Sequence, residues 1–134
     1  MTTIETEKKT SPNSIESLFG FLSDLNNLEK LMPVDKIEKW ESSADQCEFT
    51  IKGMARIGLK KEGEEAPNKI MISSFGKVPF TFNLDILLEQ QDAEQTKAQM
   101  IFKGDINPFM KMMVEKPLRN FFNMLIDKAA ELKL

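Results

Sequence analysis

Apolar and polar side chains change their rhythm twice along the chain, and the changes divide it into three regions. Thr2 to Thr10 alternate weakly and are rich in threonine and charge, which predicts an edge strand with one modestly buried face. Ser11-Pro12 then offers an N-cap and a first helical residue whose missing N–H costs nothing there, and Ile15, Leu18, Phe19 and Leu22 follow at helical spacing. A second short helix is predicted from Asp24, with Leu25, Leu28 and Leu31 on one side. Pro33 stops it by disfavouring helical geometry at Met32.

From Ile37 to about Lys103 the period is two. Cys47, Phe49 and Ile51 alternate with Gln46, Glu48, Thr50 and Lys52, and beyond Gly53 the apolar positions are Ala55, Ile57 and Leu59. Parity chooses the turn between these strands. A two-residue turn at Lys52-Gly53 would put Arg56 on the face of Phe49, whereas a three-residue loop from Lys52 to Met54 pairs Ile51 with Ala55 and Phe49 with Ile57. The longer loop is therefore predicted, with Gly53 or a neighbour left-handed or bulged. "KKEGEEAPNK" is predicted to be a solvated connection leading to Ile70 and Ile72, and a turn near Gly76 to Pro79 precedes the strongest alternation, Phe80, Phe82, Leu84, Ile86 and Leu88. "QQDAEQ" turns again, and Ala98, Met100 and Phe102 face inward.

After Gly104 the period becomes helical. Pro108 suits a first turn, Asp105 or Asn107 can cap it, and Met110, Met113, Val114, Leu118, Phe121, Phe122, Leu125, Ala129 and Leu132 share a broad apolar face. Pro117 lies inside the pattern and predicts a kink or a restart. The sum is one N-terminal strand, two short helices, six consecutive strands and one long C-terminal helix. At 134 residues and with no repeat or linker, a single domain over residues 1–134 is expected, large enough for one core or for a core with a hollow.

Composition narrows the chemistry. The chain has no histidine and no tyrosine, so neither a Ser-His-Asp nor a Cys-His arrangement can be built, and the commonest nitrogen metal ligand is missing. One cysteine, Cys47, excludes an intramolecular disulfide and a Cys-rich metal site. No metal or other cofactor is expected. With a net charge of -3 and lysines scattered among acids, there is no electrostatic footprint for nucleic acid. No apolar run approaches the length of a membrane span, and "MTTIETEKKT" lacks the apolar core of a secretory signal, so the cytoplasm is the expected location.

The order of elements, together with "SIESLFGFLSDLNNLEKLMP", "PFTFNLDILLE" and "INPFMKMMVEKPLRNFFNMLIDKA", resembles the START-like or SRPBCC superfamily. The likeness is to small bacterial single-domain members of the polyketide cyclase type. It implies an α+β helix-grip fold: a seven-stranded antiparallel sheet curled around a long C-terminal helix, with two short helices between strands 1 and 2 and an apolar cavity between sheet and helix. The glycine-rich GxGxxG loop of the Bet v 1-type proteins is absent, since the comparable region is "IKGMARIGLKK".

The candidate ligand-binding residues are Phe49, Ile51, Ile57, Leu59, Phe80, Phe82, Leu84, Met100, Phe102, Met110, Met113, Val114 and Phe121, which should converge between helix and sheet as an apolar wall that methionine thioethers let adapt. A filled core is the competing reading of the same stripes. The expected function is binding or transport of a small hydrophobic molecule such as a lipid or polyketide-like metabolite. A cyclase or dehydratase acting on such a molecule is the alternative, and a protein-interaction module a third. Cys47 is expected to be a small buried residue, Trp40 to line the cavity mouth or pack on it, and Asp85, Asp105 and Glu115 to lie outside or at the rim.

Overall fold

A computed structural model describes all residues from 1 to 134. The strands are β1 (Thr2–Glu5), β2 (Lys9–Ser11), β3 (Ile37–Ser42), β4 (Gln46–Ile51), β5 (Ala55–Glu65), β6 (Lys69–Ser74), β7 (Phe82–Asp92) and β8 (Gln95–Gly104). Between β2 and β3 come helix α1 (Ile15–Ser23) and a 3-10 helix (Leu25–Leu31), and helix α2 (Pro108–Glu131) closes the chain. The sheet is antiparallel and open, in the order β1-β8-β7-β6-β5-β4-β3, with β2 continuing the β1 position along β8. It curls around α2, the α+β arrangement expected from the order of elements.

The N-terminal strand is broken in two. The Thr6 hydroxyl, rather than a backbone carbonyl, receives the Met100 N–H at 3.0 Å, while Gln99 Nε2 donates to the Thr6 carbonyl at 2.8 Å. Side chains thus replace part of the ladder between the two segments. The start of α1 also lies later than the Ser11-Pro12 signal implies. Ser11 is committed to β2, opposite Thr96, and its hydroxyl accepts from Asn13 Nδ2 at 2.7 Å, so Ser14 caps the helix instead by accepting from the Ser17 N–H at 3.2 Å. Asp24 caps the 3-10 helix through the Asn26 N–H at 3.0 Å, and Met32 before Pro33 is extended.

Parity chose the β4–β5 turn correctly: Ile51 faces Ala55, Phe49 faces Ile57, and Gly53 sits at φ 78°. The "KKEGEEAPNK" segment is shorter as a connection than its composition suggests. β5 runs through it to Glu65 with a bulge between Lys61 and Gly63, which lets the strand keep pairing with β6 although its side chains are solvated. A bulge between Glu38 and Glu41, with Lys39 at φ 55°, likewise interrupts the alternation of β3 and brings Trp40 onto Phe49, ring centroids 5.4 Å apart.

α2 starts as its sequence predicts, with Pro108 in the first turn and the Asn107 side chain accepting from the Met110 N–H at 2.8 Å. It stays helical across Pro117. Proline has no N–H, so the Met113 carbonyl loses the donor that position 117 would otherwise supply. The two sides of Pro117 differ sharply in packing. Between Pro108 and Pro117 only Val114 is buried, whereas Leu118, Phe121, Phe122, Leu125, Ile126 and Ala129 are all core residues.

Two glycines test the packing in opposite directions. A Cβ at Gly58 would run into the Phe75 carbonyl, which lies over β5 where the Phe75 N–H donates to the Gly58 carbonyl at 3.1 Å. Gly20 in α1 has nothing within 4 Å of such a Cβ. Gly58→Ala is expected to lose about 1–3 kcal/mol and Gly20→Ala to gain about 0.5–1 kcal/mol, both measured by urea unfolding.

Candidate functional site

Both sides of the sheet and two helical segments aim large apolar side chains at one point. β4 and β5 supply Phe49, Ile57 and Leu59; β7 and β8 supply Leu84, Ile86, Met100 and Phe102, with Phe80 and Phe82 at the head of β7. The helices supply Leu28, Leu118, Phe121, Phe122 and Leu125. These fourteen residues, every one apolar, surround an enclosed void of about 20 Å³. That is room for about one water, and the walls offer it no hydrogen-bond partner, so the void is dry.

The rings make a continuous path across the interior. Trp40 stacks on Phe49, Phe49 meets Phe121 at 5.9 Å, Phe121 meets Phe122 at 5.5 Å, and Phe122 meets Phe102 at 5.3 Å. Phe102 then contacts Phe82 at 5.2 Å and Phe80 edge-on at 6.2 Å. Consecutive residues on α2, Phe121 and Phe122, thereby join the β4 side of the sheet to the β8 side.

Outside this core, an open cleft of about 390 Å³ lies between α2 and the β4–β5 loop. Its apolar surface comes from Ile51, Met54, Met113, Val114, Phe121 and Met124, and its polar rim from Lys36, Lys52 and Asn120. Phe121 is the one residue that lines both the cleft and the inner void.

Of the residues singled out in the sequence, Phe49, Ile57, Leu59, Phe80, Phe82, Leu84, Met100, Phe102 and Phe121 meet around the void. Ile51, Met113 and Val114 lie in the cleft instead, and Met110 is half-buried against the core without lining either space. Met113 does not converge with the others. It is 64% exposed, because it sits one helical step away from the buried stripe of Val114, Leu118, Phe121 and Leu125. Leu28, Ile86, Leu118, Phe122 and Leu125 also line the void. Their signal was present in the helical and strand periodicity, but periodicity alone does not separate the residues around a hollow from the rest of the core. The hollow itself is far smaller than the resemblance implies, since phenylalanine rings fill most of the space between sheet and helix.

Trp40 packs on Phe49 and donates from Nε1 to the Ser42 hydroxyl at 3.0 Å, lining neither space. Asp85 points away from the core, 3.9 Å from Lys69, and Glu115 pairs with Lys111 at 3.8 Å. No three Cys, Asp or Glu side chains converge as a metal's donors would. Cys47 is buried, and burial, with a smaller contribution from the charge of Glu48, pushes its thiol up to about 12.

No family model matches the chain, and no curated protein matches it in sequence. Solved structures match over almost its whole length. A point mutant of norcoclaurine synthase from Thalictrum, in complex with a transition-state analogue, superposes with a TM-score of 0.74 at 10% identity, covering 97% of this chain and 92% of that one. XoxI from Bacillus cereus gives 0.70 at 11% identity, covering 98% and 96%. BexL, a di-domain ARO/CYC protein from the BE-7585A biosynthetic pathway, gives 0.67 at 10% identity, covering 98% of this chain and 46% of that one. The chain thus shares its fold with norcoclaurine synthase and BexL, in keeping with the helix-grip arrangement that the START-like resemblance implies, and no helix in it is long and apolar enough to cross a membrane.

Because the interior is so nearly filled, Phe82→Ala should lose about 3–5 kcal/mol in denaturant melts; a loss near 1 kcal/mol would show a roomier pocket. The Cys47 thiol sets a pH limit. Its folded value lies above the ordinary 9.0, so its contribution to stability is intact below pH 9. Above that the unfolded state releases the proton first, and stability should fall by up to about 1.4 kcal/mol per pH unit toward pH 12. Cys47→Ser should flatten that decline in urea melts taken from pH 8 to 11.

Proposed function

We propose that the protein, acting as one START-like domain in a reducing cytoplasm, binds a small hydrophobic molecule between its sheet and α2. The molecule enters through the cleft beside the middle of the helix, between α2 and the β4–β5 loop. The observation that supports this best is the place of Phe121, which lines both an open cleft of about 390 Å³ and an all-apolar interior. Small-molecule sites are usually about 300–1,000 Å³ and mostly apolar. The cleft reaches that size and the void does not, so a ligand occupies the cleft first and gains its inner contacts by displacing Phe121.

The two sides of Pro117 in α2 differ in how firmly they are held. The half that carries Phe121 and Phe122 is anchored in the core, while the preceding turns bury little and can move at small cost. Burial of the ligand's apolar surface, at about 25 cal/mol per Å², provides the drive, and a ligand that binds only the opened form shifts the population toward it. A cyclase-type activity is the second reading, carried by the shared fold with BexL. Its weakness is chemical, because the void holds no titratable group and the cleft only the lysines.

Titration with Nile red, a neutral hydrophobe, tests the binding reading. The folded protein should raise the dye's fluorescence in a saturable way, and Phe121→Ala, shown by circular dichroism to remain folded, should strengthen binding several-fold by removing the barrier. A linear response in both proteins would overturn it. Native mass spectrometry of freshly purified protein should show a co-purifying small molecule, and turnover of that molecule would favour the enzyme instead.

A further inference from the structure

We infer that the cleft is built for an amphiphile with an anionic head, an alkyl carboxylate whose head pairs with Lys36 and Lys52 while its chain runs across the methionines toward Phe121. This rests on the reading of the cleft as a ligand entrance. The eleven residues that line the cleft include two ammonium side chains and no carboxylate. The groove farther along α2 mixes both signs, with Glu29, Asp35 and Asp127 beside Lys30 and Lys128, and the one beside β3 and β4 carries Glu41 and Glu48, both paired with Arg56.

The two lysines share one rim by construction. The Lys52 N–H donates to the Lys36 carbonyl at 2.9 Å, tying the β4–β5 loop to the segment that enters β3. Neither ammonium has a carboxylate within 4.0 Å, whereas Lys61, Lys69, Lys111 and Arg56 do. An anion arriving there meets two cations with no competing internal partner. Below the rim, Met54, Met113 and Met124 are unbranched and adaptable, suited to a flexible chain rather than to one rigid outline. The chain's tip would reach the inner void past Phe121, the residue that lines both spaces. A fused ring system would have to displace several of the packed phenylalanines.

The experiment compares two competitors of equal chain length, decanoate and 1-decanol, in displacing Nile red at low, fixed ionic strength and below micelle-forming concentrations. Decanoate should displace the dye about tenfold more strongly, since each exposed ion pair contributes modestly and two act together. The double variant Lys36→Gln/Lys52→Gln should lose that preference and keep its affinity for decanol. Lys60→Gln/Lys97→Gln, which removes the same charge elsewhere, should retain it. Equal displacement by both competitors, or a preference that survives Lys36→Gln/Lys52→Gln, overturns the anionic head while leaving the apolar reading intact. Failure of Nile red itself to bind overturns both.

Discussion

The open sheet has two free edges, and nothing in its own hydrogen bonding holds its curled face at a fixed curvature. The aromatic contacts through α2 supply that constraint. Phe121 rests on Phe49 of β4 and Phe122 on Phe102 of β8, so adjacent residues on one helix reach opposite sides of the concave face. Each ring buries a large apolar area, and each pair adds a preference for its own geometry. The spacing of the two sides of the sheet is thereby tied to the width of two phenylalanine side chains. The interior is nearly solid for the same reason.

The far end of α2 is held by polar contacts rather than by rings. Asn13, buried beside β2, donates to the Leu132 carbonyl at 2.7 Å and accepts from the Leu134 N–H at 2.8 Å, and its own carbonyl receives the Thr96 hydroxyl at 2.8 Å. The Asn13 side chain thus joins the helix terminus to Ser11 of β2, and its backbone carbonyl adds the link to β8. No buried side-chain nitrogen or oxygen is left unpaired in the molecule, so this end carries no hidden desolvation penalty. The start of α2 has nothing comparable beyond its Asn107 cap. The helix is therefore firm from Leu118 onward and lightly held before it. The cleft with its two lysines spans the junction of the two parts, lined by Met113 and Val114 before Pro117 and by Asn120, Phe121 and Met124 after it.

Much of this was legible in the residues. The parity of Ile51 and Phe49 against Ala55 and Ile57 selected a three-residue loop because a one-residue slip would have turned Arg56 into the core, and that cost operates whatever the rest of the fold does. The capping of α2, expected from Asp105 or Asn107 and made by Asn107, and the stop at Pro33 were equally local. Ser11 misled because its partner is Thr96, far away in the chain, and a strand pairing outweighed a good capping signal. Gly63 and its glutamates suggested a loop for a similar reason: the pairing with β6 that keeps them in a strand is not visible from their composition.

The candidate site divides along the same line. Alternation and helical period determined which side chains face inward, since the hydrophobic effect acts on each element's own apolar face. The width of the space between those faces is a property of the assembled rings. Only the tertiary structure decided that Phe121 and Phe122 would nearly fill it, that Met113 would remain outside, and that Lys36 and Lys52 would meet at one rim. Those outcomes depend on distances between elements remote in the chain, and no local pattern of residues encodes such a distance.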